Sequence, residues 1–101
     1  MLYAVWFEDD EAHADERPGR LPDHLAFLAD RGRQITAAGP LAEASTGTPA
    51  GGLWLVEADD TDAVESLIRE DPFWPTGLRK SYRILQWTRV FAAGKKLVPA
   101  Q

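Results

Sequence analysis

The chain has 101 residues, no cysteine and a formal charge of −5. That length holds one domain with a real core, the lack of cysteine removes disulfides and thiolate zinc or redox chemistry, and the acidic balance argues against nucleic acid as a partner. No stretch approaches a membrane span, and Met1-Leu2-Tyr3-Ala4-Val5-Trp6-Phe7 lacks the basic start of a secretion signal, so a soluble cytoplasmic protein without membrane contact is expected.

Residues 2–7 form an apolar, aromatic run without helical spacing, which reads as a strand buried on both faces. Glu8 to Arg20 reads as a solvated acidic loop. Its carboxylates around His13 lack the spacing of a calcium loop and any repeated histidine, so no metal site is expected. A first helix is predicted from Pro22, suited to the first helical position, to Arg31, before the stop at Gly32. Leu21, Leu25, Leu28 and Ala29 would form its buried face, with His24 on the edge. Gln34–Ala38 reads as a second strand, and Gly39-Pro40 marks its end or a sheet edge. Residues 42–52, small and glycine-rich, read as a long hairpin loop. Leu53–Ala58 is the third strand, and Asp59 to Asp62 supply the cap and first-turn acids of a second helix lined by Ala63, Val64, Leu67 and Ile68. Tyr82–Phe91 is the last strand, closing a domain of residues 1–91 before a mildly basic tail, 92–101.

The order β-α-β-β-α-β is the ferredoxin-like, α+β arrangement, with two helices on one face of a four-stranded antiparallel sheet. Strands 1 and 3 are apolar on both faces. The open face would therefore expose large side chains from residues 2–7 and from around Trp54 and Trp87, and a second copy of the chain is the simplest cover.

Chemistry concentrates where the second helix stops, at Glu70-Asp71-Pro72-Phe73-Trp74-Pro75. Proline pushes Asp71 out of helical geometry, and the helix dipole does not favour a carboxylate there, so another group is needed to hold it. His24, in the first turn of its predicted helix, is the better placed of the two histidines. A structural tie between the two helices is the plain reading of such a pair. A carboxylate that fixes the histidine tautomer and leaves its other nitrogen as a base is the catalytic one.

Three short motifs, Arg20-Leu21-Pro22-Asp23-His24-Leu25, Ala38-Gly39-Pro40-Leu41 and Glu70-Asp71-Pro72-Phe73 with Gly77-Leu78, occur in order, and with them the chain resembles the YciI-like (YCII-related domain) family of dimeric α/β-barrel proteins. The resemblance covers Met1 to about Phe91; the acidic Glu8–Glu16 stretch and the residues after Phe91 depart from it. It implies a ferredoxin-like homodimer formed through the open sheet face, with His24 and Asp71 as the active-site pair. The chemistry expected is cofactor-free proton abstraction or elimination on a small organic acid or lactone. Phe73 and Trp74 would supply an apolar wall, and Gly39-Pro40 a backbone edge beside the substrate. The alternative is a non-catalytic binding or interaction module in which the pair is structural.

Overall fold

The structure is a computed structural model that describes residues 1–97. Strands β1 (Leu2–Asp9), β2 (Ile35–Ala42), β3 (Pro49–Glu57) and β4 (Arg79–Gln86) form an antiparallel sheet in the order β2-β3-β1-β4. Helices α1 (Glu16–Asp30) and α2 (Thr61–Glu70) cover one face, giving the α+β, ferredoxin-like fold. Alternation along β1 and β3 sends Tyr3, Val5, Phe7, Trp54 and Val56 under the helices, where Phe27 of α1 and Val64, Leu67 and Ile68 of α2 meet them. Val5 lies opposite Trp54 on one side and Ile84 on the other, which sets the register of β3, β1 and β4.

On the open face Trp6, Leu85 and Trp87 are exposed, and Leu2, Leu53 and Leu55 are half-buried. Trp54 itself points inward; its neighbours Leu53 and Leu55 carry the apolar character of that face.

Several boundaries differ from the sequence reading, each for a physical reason. α1 begins at Glu16, six residues before Pro22, which lies inside the helix. Pro18 sits in the first turn, where no amide hydrogen is needed, and the ring of Pro22 lies on the exposed side. The helix is also turned: His24 and Phe27 are its buried residues, whereas Leu21 and Leu25 are exposed. β2 runs on through Gly39-Pro40 to Ala42 because it is an edge strand, where a missing amide hydrogen costs no ladder bond. β3 starts at Pro49, so the supposed loop shrinks to residues 43–48. Gly51 is a strand glycine out of necessity, since at φ +92° an added Cβ would lie 1.9 Å from the Phe7 carbonyl oxygen.

β4 begins at Arg79, paired with Asp9 across a bulge, and ends at Gln86 because its partner β1 begins there; the Trp87 amide makes a last bond to the Leu2 carbonyl at 2.8 Å. In place of a longer strand and a loose tail, β5 (Phe91–Ala92) and β6 (Lys95–Lys96) pair as a short ribbon. The rest of the predicted tail, residues 98–101, lies outside the described residues.

Candidate active site

α2 is capped by the Asp60 carboxylate, which accepts from the Ala63 amide at 2.9 Å, and it stops at Asp71. Asp71 adopts φ −65° and ψ 130°, the extended geometry that a following proline demands. The chain then folds back so that the Phe73 amide donates to Asp71 Oδ1 at 3.1 Å and the Trp74 amide to the Asp71 carbonyl at 2.8 Å. An aspartate whose own turn supplies a donor two residues on is fixed locally. Its side chain is only 2% exposed.

The second donor comes from α1. His24 Nδ1–H donates to the same Oδ1 at 2.7 Å, 47 residues away in sequence. The imidazole also stacks on the Phe73 ring, with centroids 4.2 Å apart and an interplanar angle of 17°. One turn thus clamps the histidine twice, by carboxylate and by ring face. Nε2 has no hydrogen-bond partner among the described residues, and the His24 side chain borders a cavity of about 150 Å³. An engineered apolar cavity of about 150 Å³ admits benzene, so a single ring or a smaller molecule fits this space.

Leu21, Leu25 and Leu28 of α1 border the cavity, facing Gly39, Pro40 and Trp54 from the sheet. This accounts for the exposure of Leu21 and Leu25: they form its mouth, not the core. The remaining wall is cationic. Asp9, at the end of β1 and 11% exposed in its side chain, accepts from Arg17 through Oδ2 and from Arg79 at 2.9 Å through Oδ1. The Arg79 guanidinium, 7% exposed, lies 4.2 Å above the Phe7 ring and 5.4 Å from that of Phe73. It also lies over Gly52, where an added Cβ would meet its Nη1 at 3.2 Å. The Nε–H groups of Arg17 and Arg79 are closed to solvent and meet no acceptor among the described residues. A buried donor left without an acceptor costs about 1–3 kcal/mol.

A larger groove of about 930 Å³ adjoins the cavity, sharing Arg17 and Gly51, and carries Glu8, Asp10, Glu11 and Glu43 on its walls. Asp10 is held below the ordinary 3.8 chiefly by the Ala12 amide, which donates to it at 3.0 Å. The groove has size but no clamped base; the dyad opens on the smaller space.

Of the residues singled out from sequence, His24, Gly39, Pro40 and Phe73 share the cavity wall, and Asp71 stands directly behind His24. Trp74 does not reach the cavity. Its ring packs edge-on against Tyr82 at 5.8 Å, on the core side of the turn. The sequence reading missed Asp9, Arg17 and Arg79. Arg17 was findable in principle: it lies seven residues before His24, on the same helical stripe, once the helix is allowed to start at Glu16.

The YCII-related domain family matches residues 1–88. Among solved structures, 5-chloro-2-hydroxyhydroquinone dehydrochlorinase from Burkholderia phenoliruptrix, in complex with 2,5-dihydroxybenzoquinone, is 30% identical, with a TM-score of 0.75 over 86% of this chain and 93% of that one. No curated protein matches the chain. With its helices, sheet and nearly its whole length accounted for, the chain belongs to the YCII-related domain family.

Proposed function

We propose that the protein is an acid–base enzyme of the lyase type, in which His24 Nε2 removes a proton from a small organic substrate and a leaving group departs. The observation that carries this reading is the half-engaged imidazole: Nδ1 is bound to a buried carboxylate, while Nε2 has no protein partner beside a cavity of single-ring size. A purely structural tie would satisfy both nitrogens. Asp71 holds the ring in the Nδ1–H tautomer and balances the positive charge that forms when Nε2 accepts a proton. The electrons of the broken bond to hydrogen form a new double bond, and the leaving group departs with its own pair, so H and the leaving group are lost together. The similar dehydrochlorinase supports elimination as the reaction class and a hydroxylated six-membered ring as the kind of substrate.

Two measurements test the reading. Nitrogen-15 shifts of His24 should report the Nδ1–H tautomer; an Nε2–H tautomer would exclude Nε2 as the base. Chloride release from chlorinated hydroxyhydroquinones should fall about 10²–10⁴-fold in His24→Ala, the span of a lost general base. Retention of turnover in that variant would overturn the proposal.

The working form is a homodimer formed through the open sheet face. The exposed Trp6, Leu85 and Trp87, with the half-buried Leu2, Leu53 and Leu55 on the same face, make an apolar patch of the kind that marks an interaction surface. Sedimentation should give twice the 11.2 kDa chain mass. Trp6→Glu should shift the protein toward monomer, and a wild type that sediments as a single chain would refute the assembly.

A further inference from the structure

We infer that Arg17 and Arg79 form an anion-binding subsite that receives an ionised oxygen of the substrate, so that the enzyme acts on small planar anions and not on their neutral analogues. This rests on the reading of His24 as the base and assigns the substrate class for it. Two guanidinium groups share a single carboxylate, Asp9, which leaves the cluster with one positive charge in excess. Both Nε–H donors are buried without an acceptor, and Arg79 is more than nine-tenths buried. A guanidinium so placed cannot swing away to find water: Phe7 lies beneath it, Gly52 leaves it room, and Asp9 holds one end.

The same cavity is bordered by both arginine side chains and by the base. Phe73 stacks on His24 on the one hand and lies 5.4 Å from the Arg79 guanidinium on the other. A planar ligand lying in the cavity can therefore present an anionic oxygen to the arginines and an acidic hydrogen to Nε2. When the proton passes to Nε2, the electron pair it leaves behind forms the new double bond as the leaving group departs with its own pair, and the fixed positive charge of the arginines offsets the negative charge the substrate carries through that step. Arginine suits this role because its rigid fork stays charged and accepts the planar geometry of carboxylate, enolate or phenolate alike.

The test uses ligands that do not react. Benzoate and 4-nitrophenolate supply a carboxylate and a phenolate on one ring; benzyl alcohol supplies the neutral shape. In protein labelled with nitrogen-15, the Nε–H signals of Arg17 and Arg79 should move saturably with at least one of the two anions and not with benzyl alcohol. Whichever anion acts names the oxygen type. Arg17→Met, which keeps the stem and leaves the Arg79–Asp9 pair in place, should weaken that binding about tenfold or more. Arg79→Lys, a second variant that keeps charge without the fork, should weaken it too. His24→Ala should retain anion binding, which separates the subsite from the base: loss of turnover with retained binding is expected of that variant. If neither anion moves either signal, or Arg17→Met binds as the wild type does, the subsite is wrong even where the His24 variant has lost activity. If His24→Ala keeps its turnover, the base is wrong, and a subsite that still discriminates by Arg17 stands as a binding site alone.

Discussion

Two buried polar clusters face one cavity and are built in opposite ways. The Asp71 cluster is local: proline sets the backbone, the Phe73 amide binds the carboxylate two residues back, and the Phe73 ring supports the imidazole. Only His24 comes from elsewhere. The Asp9 cluster has no local part. Its three members come from the end of β1, the first turn of α1 and the start of β4, and Asp9 and Arg79 are 70 residues apart. Asp71 is a neutral-turn carboxylate with one strong partner from afar, whereas Asp9 is held between two cations. The first cluster should govern chemistry with modest effect on stability, and the second should govern stability and charge with less effect on the base.

Matched Asp→Asn changes test that contrast most severely. In Asp71→Asn the side-chain oxygen can still accept from Phe73 and His24, so folding should change by only about 1 kcal/mol, while turnover falls about 10²–10⁴-fold for want of the balancing charge. Asp9→Asn leaves two guanidinium groups without their anion. Breaking a buried pair costs about 3–5 kcal/mol, and the low end applies because Arg17 keeps 32% of its side-chain exposure. Urea unfolding of both variants, with turnover measured on each, decides the matter. A larger loss of stability in Asp71→Asn than in Asp9→Asn would reverse the comparison.

Gly52→Ala sharpens it on a smaller scale. The new methyl would stand 3.2 Å from Arg79 Nη1, and the backbone there is not in the left-handed region. The guanidinium must give way, at about 1–2 kcal/mol for a crowded but adjustable contact. The His24 tautomer should be unaffected, and a nitrogen-15 spectrum in which it changes would show the two clusters to be mechanically one.

The same contrast accounts for what could be read in the sequence. Asp71-Pro72-Phe73 announces itself because its logic is contained in consecutive residues, and His24 follows as the histidine best placed to meet it. α2 is equally legible, with a capping Asp60 at one end and an Asp-Pro stop at the other. α1 is misplaced at its start because Pro22 reads as a first helical position and Pro18-Gly19 as part of an acidic loop, while the tie from Arg17 to Asp9 that fixes the first turn is a tertiary contact. Its face is misassigned because Leu21 and Leu25 serve a cavity mouth, which periodicity cannot distinguish from a core. Gly51-Gly52 reads as flexible although both glycines answer to steric demands set by Phe7 and Arg79, partners far off in sequence. Arg79 shows no signal of its own: one arginine in a basic stretch becomes a cavity residue only through strand register.

A polar contact away from the cavity supplies the baseline for both clusters and the smallest expected effect. Tyr82 O–H donates to Glu65 on α2, behind Trp74. That bond, then burial, then the negative charge of Glu65 raise the Tyr82 phenol above its ordinary 10.0. The folded chain therefore holds this proton to higher pH than the unfolded chain does. The contribution is complete below the unfolded value and is lost as pH rises through the folded one. Tyr82→Phe should lower stability at neutral pH by about 1 kcal/mol, leave turnover unchanged, and converge with the wild type in strong alkali, where the wild-type bond is itself lost. Unfolding curves at neutral pH and beyond the phenol's titration show whether the gap closes. A gap that stays constant would mean that Tyr82 acts through packing on Phe7 and Trp74 alone, and a fall in turnover would extend the functional region through the turn to its core side.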